Sequence, residues 1–445
     1  MTPLPTHIDF IGIGGIGMSA LAHWALARGI HVTGYDRVAT RITDALTEQG
    51  ADIRWSQDLK DWQIPDHALV VYTPAVPLTH PQLAAAIDGP WRVIKRSQCL
   101  AEIANSGTCL AVAGTHGKTT TSAMLTWILH QAGIPVQAFL GGIANNLGSN
   151  CMPGPADITV VEADEFDRSF LHLQPNAAVV TSTDADHLDI YDHADALTST
   201  FQEFANLVDG PVYRAEQAGI EGVSYGLGPA HWAYADNLQI VDGRQVFDMH
   251  LGSTQVRGVT AGLPGSHNIE NALAAACLAH HVGVTPEHIA EGIGSFQGVW
   301  RRFDVRAHGD DHVLIDDYAH HPTEIDRLHQ AVQQLYPNDE IAILFQPHLF
   351  SRTRDFMTGF AQSLQAFDHV GILPIYPARE SAIPGVTSGA LCEQIEHAVC
   401  LNEDDALSWL TQHRARVKLI VGAGDIDRLV TPAENELKKQ CDGLA

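Results

Sequence analysis

At 445 residues the chain is too long for one ordinary core, and about two to four domains of roughly 100–200 residues are expected. Its 45% hydrophobic and 7% aromatic content suits a globular protein; no apolar run approaches the ~20 residues of a membrane span, and residues 1–10 lack the basic start and long apolar core of a signal peptide, so a cytoplasmic protein without membrane insertion is expected. A net charge of −26 argues against nucleic acid as a partner and obliges any anionic ligand to find local cations, backbone dipoles or metal ions.

The seven cysteines are odd in number and widely spaced, with no C-x-x-C pair. Neither a disulfide framework nor a zinc site is expected, and buried free thiols are the default.

Residues 8–13 read as a strand, residues 12–17 (GIGGIG) as a turn, about 18–28 as a helix and 31–34 as a second strand closing on Asp36. A βαβ opening with G-x-G-x-x-G and an acid about 20 residues on is a dinucleotide fingerprint. A nicotinamide, a flavin, another phosphate-bearing ligand or a purely structural turn all fit it. Strand patterns at 69–73 and 92–94 complete an α/β domain ending near Asn105.

Residues 108–121 (TCLAVAGTHGKTTT) then place an apolar strand before a glycine turn, a lysine, three threonines and a helical stretch running to Ala132. Strand, turn and helix in this order build a phosphate cradle. Backbone N–H groups and the helix N-terminus of Gly114, Thr115, His116, Gly117 and Thr120 face the anion, Lys118 neutralises terminal phosphates and the Thr119 hydroxyl reaches Mg²⁺. The first glycine of the usual G-x-x-x-x-G-K-[ST] pattern would fall at Val112. Lys118 is the only lysine between positions 96 and 417.

Residues 157–163 (DITVVEA) form a buried-type strand with Glu162 near its end, and residues 177–183 form another, followed by Asp184, Asp186 and His187. Ligands of open α/β sheets bind beyond the carboxyl ends of strands, so the phosphate turn, Glu162 and His187 are expected to converge. Between 210 and 259 a short, alternating, glycine-punctuated pattern suggests antiparallel strands. A helix from Ser266 carries Asn268 and Asn271 on one face. From about Val299, strands at 313–316, 341–345, 370–375 and 419–421 alternate with helical patterns such as 354–367 and 389–398, the signature of a further doubly wound parallel sheet.

Two phosphate loops in one chain suggest two phosphorylated ligands. The first loop has no lysine and suits a diphosphate that is held but not broken. The second suits a triphosphate whose terminal group is transferred. An oxidoreductase leaves the second loop idle, a simple ATPase leaves the first idle, and an ATP-dependent ligase acting on a nucleotide-linked substrate uses both.

The stretches 12–19 (GIGGIGMS), 113–121 (AGTHGKTTT), 162–170 (EADEFDRSF), 184–191 (DADHLDIY), 267–271 (HNIEN), 316–324 (DDYAHHPTE) and 345–356 (FQPHLFSRTRDF) together resemble the Mur ligase family, in its alanine-adding branch. The resemblance implies an α/β chain of three domains: a Rossmann-like N-terminal domain (1–105) for a UDP-sugar, a P-loop-type central ATPase domain (106–298) and a Rossmann-like C-terminal domain (299–445) for the amino acid. It implies ATP and Mg²⁺ as cofactors, UDP-N-acetylmuramic acid and L-alanine as substrates, an acyl-phosphate intermediate, and a monomer or homodimer. Gly14, Gly15 and Gly17 would cradle the UDP diphosphate, with Asp36 on a ribose hydroxyl and Thr73 against phosphate. Lys118 would hold the triphosphate, with Mg²⁺ on Thr119, Glu162 and His187. Asn268 and Asn271 would meet the ATP base and phosphates, Arg302 the γ-phosphate and Asp317 the ATP ribose. Tyr318, His320, His348 and Arg352 would receive the amino acid. Leu349 stands where many relatives carry another arginine, which leaves Arg352, or else Arg354, to grip the carboxylate alone. Lys118 lacks any lysine partner in the central domain, so the carbamylated lysine of several Mur ligases is unavailable here. A murein-tripeptide recycling ligase is the near alternative, and a nicotinamide-dependent oxidoreductase or a non-catalytic nucleotide-binding regulator the remote ones.

Overall fold

The computed structural model of the protein describes residues 4–155, 157–184, 194–378 and 380–442. Its three sheets are built around short runs of branched and small apolar residues. His7–Ile11, Val313–Asp317 and Ile341–Phe345 are buried along their whole length, as strands covered by helices on both faces must be.

The first sheet is wholly parallel, in the order Asp52–Arg54, His31–Tyr35, His7–Ile11, Leu69–Tyr72, Arg92–Lys95. The chain order reverses between His7–Ile11 and Leu69–Tyr72, and the first glycine loop leaves the carboxyl end of the former. This is the switch point at which such sheets bind ligands. The second sheet has ten strands, and Thr108–Ala113 lies between Ala177–Val180 and Ile158–Ala163, parallel to both. The third has six, with Val417–Val421 between Val313–Asp317 and Ile341–Phe345.

The described residues fall into two compact units. One runs through Gln239 and takes in Val246–Gly262 and Glu270–Gln297; the other runs from Gly298 and takes in Ile240–Gln245 and Leu263–Ile269. Inside the first unit the helix Ile16–Ala27, which follows the first glycine loop, is fastened to the second sheet. Trp24 Nε1 and Arg28 Nη2 both donate to Gln137 Oε1, at 3.0 and 2.8 Å, and Asn150 Nδ2 donates to Ile16 O at 2.6 Å. One apolar core runs through both sheets, so the two phosphate loops share a rigid base.

Three expectations are corrected. Val212–Ala215 pairs parallel with Ala177–Val180 and Val223–Leu227 pairs parallel with Val212–Ala215, extending the second sheet; within 210–259 antiparallel pairing comes later, between Arg244–Leu251 and Thr254–Thr260. The glycines at 219 and 222 therefore serve a short crossover and not a hairpin. The helical pattern 354–367 is broken at Phe356 into Phe350–Asp355 and Met357–Leu364. Residues 389–398 are not one helix: Ser388–Cys392 is helical and Ala398–Cys400 is the edge strand of the third sheet.

Candidate active site

The central cradle is set by two glycines. Gly114 has φ +127°, and a Cβ there would lie 2.2 Å from Thr181 Oγ1; Gly117 has φ +83° as the residue before helix Lys118–Gln131, and a Cβ there would lie 2.5 Å from Asn271 Oδ1. Neither conformation nor either approach admits a side chain. The loop is braced from the neighbouring strand end. Thr115 N donates to Ser182 O at 3.1 Å, Thr115 Oγ1 to Asp184 O at 2.8 Å and His116 N to Ser182 Oγ at 3.1 Å. Thr120 is buried in the first turn of the helix.

Lys118 folds back over this loop. Its Nζ donates to Gly114 O at 2.6 Å and to both oxygens of Glu165, at 2.9 and 2.7 Å. Burial opposes the charge of Lys118, but the carboxylates of Glu165, Asp164 and Glu162 outweigh it and raise its pKa. Glu162 and Glu165 both sit above the ordinary carboxylate range because they are buried, although Lys118 pulls each of them down. Thr119 Oγ1 lies 3.0 Å from both oxygens of Glu162, and Gly141 N donates to Glu162 Oε2 at 2.8 Å. Hydroxyl and carboxylate side by side at an anion cradle are the hard oxygen donors that Mg²⁺ takes together with phosphate oxygens. Among the described residues Thr119 and Glu162 are the candidates that would hold it. His187 lies outside the described residues.

Asn271 sits at the mouth of the cradle, with Thr121 Oγ1 3.3 Å from its Oδ1. Asn268, one turn earlier on helix Ser266–His281, donates to Pro264 O at 2.6 Å.

In the first loop Gly14 N donates to Asp36 Oδ2 at 2.7 Å, while Asp36 Oδ1 accepts from Arg37 N at 2.7 Å. Asp36 thus latches the loop to the next strand end. Gly15 precedes helix Ile16–Ala27, and Thr73 lies against Gly12, where a Cβ would come within 2.6 Å of Thr73 Cγ2. A Cβ at Gly17 would lie 2.9 Å from Arg96 Nη1, and Arg96 Nη2 is 3.9 Å from Asp164 Oδ2. One guanidinium therefore spans the distance from the first phosphate loop to the acidic strand end beside the second.

The other unit gathers the remaining candidates. Arg301 and Arg302 both lie over the Tyr318 ring, at 5.0 and 5.1 Å. Arg301 is buried; Nη2 donates to Gly422 O, and Nε is 3.8 Å from Asp316 Oδ1. Arg302 Nη1 lies 3.5 Å from Glu324 Oε1. Asp317 accepts from Phe303 N at 2.7 Å and Ala319 N at 2.8 Å. Burial pushes its carboxyl up to about 6, against the pull of Arg302, and that of Asp316 up to about 7, against the pull of Arg301. His320 Nδ1 is 2.8 Å from Tyr318 O, and its ring meets that of His348 at 6.2 Å. Arg352 Nη1 is 3.4 Å from His348 Nδ1, and Tyr376 stacks on His348 at 5.7 Å. Leu349 holds φ +71° at the head of helix Phe350–Asp355, a strained setting for a branched residue. It turns the chain so that His348 and Arg352 come together.

Three residues escaped the sequence reading. Glu165 stands among four acids in EADEFD, and only the fold shows which carboxylate meets Lys118. Arg96 follows the last strand of the first sheet with no motif around it. Tyr376 follows the strand His369–Ile372, a position that the carboxyl-end rule could have flagged.

Known families match the chain in three consecutive stretches: "Mur ligase family, catalytic domain" over residues 7–108, "Mur ligase middle domain" over 112–279 and "Mur ligase, glutamate ligase domain" over 301–429. The chain belongs to the Mur ligase family. Among curated Mur ligases it is 43% identical to the UDP-N-acetylmuramate–L-alanine ligase of Flavobacterium psychrophilum over 442 residues, covering 98% of each chain. It is 44% identical to the enzyme of the same name from Porphyromonas gingivalis, covering 98% of this chain and 100% of that one. The solved UDP-N-acetylmuramate–alanine ligase of Thermotoga maritima superposes with a TM-score of 0.83 at 28% identity, over 98% of this chain and 99% of that chain. A murein peptide ligase from Psychrobacter arcticus, at 24% identity and a TM-score of 0.69, shares the fold. The three-domain α/β architecture is thus that of the Mur ligases, and among the described residues no helix is long and apolar enough to cross a membrane.

Proposed function

We propose that the chain joins L-alanine to UDP-N-acetylmuramic acid, with cleavage of ATP to ADP and phosphate, as a cytoplasmic step of peptidoglycan precursor synthesis. The observation that carries this reading is the end-to-end similarity to ligases of that name. Residues 1–105 would hold the UDP-sugar, 106–298 ATP and 299–445 the amino acid, in a monomer or homodimer.

The chemical problem is to bring the lactyl carboxylate of the sugar onto the γ-phosphate of ATP, both negative, in a protein of net charge −26. Positioning and charge neutralisation carry most of such a reaction. The first loop offers its backbone and helix N-terminus to the UDP diphosphate, with Arg96 beside Gly17. Lys118 turns from Glu165 to the terminal phosphates of ATP, and Asn271 lines the mouth. Thr119 and Glu162 would hold Mg²⁺, which supplies positive charge to the phosphate oxygens when bound. Arg302 and Asp317 serve the γ-phosphate and ribose.

The acyl phosphate so formed is attacked by the amine of alanine in its neutral form. Because His320 Nδ1 donates to Tyr318 O, Nε2 is the basic nitrogen of that imidazole and the one able to take the amine proton. Arg352, oriented by His348, grips the alanine carboxylate, and Tyr318 forms the wall behind it.

Purified protein should release phosphate only when UDP-N-acetylmuramate, ATP, Mg²⁺ and L-alanine are all present. Stimulation by the tripeptide L-alanyl-γ-D-glutamyl-meso-diaminopimelate and not by L-alanine would transfer the reading to the recycling ligase, and reduction of NAD by a 2-hydroxy acid would revive the oxidoreductase.

A further inference from the structure

Although no C-x-x-C pair exists in the sequence, the fold brings two cysteines together. Cys392 ends the helix Ser388–Cys392, and Cys400 ends the edge strand Ala398–Cys400, which among the described residues pairs with His369–Ile372 alone. Their sulfurs lie 2.6 Å apart. Two thiols in contact can be bridged on oxidation without moving distant segments of the chain. Exposure separates this pair from the other described cysteines. Cys400 is exposed and Cys392 half-buried, whereas Cys99, Cys109, Cys151 and Cys277 are buried. Burial of those four keeps a dissolved oxidant from reaching their sulfurs.

We propose that Cys392 and Cys400 are a reversible dithiol–disulfide site, oxidised by a low-molecular-weight disulfide such as oxidised glutathione. Cys400, the accessible partner, attacks one sulfur of the oxidant; the oxidant's S–S bond breaks and one thiol leaves. Cys392 then attacks Cys400 Sγ, the internal bond forms and the second thiol leaves. Two electrons pass to the oxidant, and the two cysteine protons end on the two thiols released. Cys392 is the resolving sulfur, because it is the half-buried partner and lies beside Cys400 Sγ; its attack needs the thiolate and quickens as pH rises. The bond fastens the sheet's edge strand to the helix that follows the loop carrying Tyr376.

The test uses the full chain, reduced and then incubated with oxidised glutathione, alkylated with N-ethylmaleimide and digested with a Glu-specific protease. Glu393 and Glu396 lie between the two cysteines, so cleavage separates them unless they are bonded. The expected result is two fewer alkylations and a linked peptide pair that dithiothreitol splits, with the rate rising between pH 7 and 9. In Cys392→Ser the expected product is glutathione held on Cys400, the first step of the exchange trapped for want of its resolving sulfur. Unchanged alkylation, stable glutathione on wild-type Cys400, or a link to any other cysteine would each overturn the proposal.

Discussion

Lys118 Nζ lies 2.7 Å from Glu165 Oε2, 47 residues away in sequence, and Glu165 is fully buried beneath it. The lysine that would meet ATP is therefore already engaged. The pair fixes the side chain over the loop and keeps a lone cation charged inside an acidic protein, so that an arriving triphosphate exchanges one anion for another.

Removing either partner should have unequal effects. Glu165→Ala leaves a buried ammonium without its counter-charge, and a loss of about 3–5 kcal/mol in urea unfolding is expected; Glu165→Gln should lose less, with turnover still reduced. Lys118→Ala should cut turnover by about 10²–10³-fold while calorimetric binding of the UDP-sugar stays within about twofold. Loss of UDP-sugar binding in that variant would mean that the two loops are not separate sites.

Arg96 stands between Gly17 and Asp164, and its charge should be felt by the sugar nucleotide first. Arg96→Ala is expected to raise the KM for UDP-N-acetylmuramate by about tenfold, the loss of one charge-assisted hydrogen bond of ~1.4 kcal/mol, and to leave the KM for ATP nearly unchanged. Steady-state kinetics with each substrate varied in turn decides this.

In the first sheet Asp9 is fully buried and accepts from Arg54 at 2.6 and 2.8 Å, from Thr33 at 2.6 Å and from Trp62 at 3.1 Å. Asp9→Ala strands the Arg54 guanidinium and should cost about 3–5 kcal/mol by urea denaturation. A loss under 1 kcal/mol would mean that Arg54 escapes to solvent.

Asp316 and Asp317 make an opposite pH signature from that of most carboxylates. Burial raises both, to about 7 and about 6, so the folded chain binds protons that the unfolded chain releases near pH 4. Their contribution to stability is full below about pH 4 and is lost as pH rises through about 6 to 7. Arg301 and Arg302 oppose this, and Asp304, Asp427 and Glu324 reinforce it. The difference in unfolding free energy between wild type and Asp316→Asn, measured from pH 4 to 8, should shift steadily against the wild type as pH rises.

Much of the site was legible because its chemistry is local. Strand, glycine turn and Lys118-Thr119 lie within one short stretch, and spacing alone places the lysine over the loop. The same holds for Gly12 to Gly17 and for Asp36 at the next strand end. Glu165, Arg96 and the Cys392–Cys400 pair were not legible, because each acquires its partner only when distant segments pack or when an edge strand folds beside a helix. Val212–Ala215 and Val223–Leu227 were misread as antiparallel because alternation reports a strand's faces and not its direction. The crossover that sets the direction spans only residues 216–222, too short to show the usual helical pattern.

The account rests on the carboxylate of the sugar becoming an acyl phosphate before alanine attacks. UDP-N-acetylmuramate labelled with ¹⁸O at both lactyl carboxylate oxygens tests this directly, by mass spectrometry of both products. One ¹⁸O should appear in the released phosphate and one in the new amide of UDP-N-acetylmuramoyl-L-alanine. Amide product formed with unlabelled phosphate, the second heavy oxygen having left in water or on the nucleotide, would contradict the account.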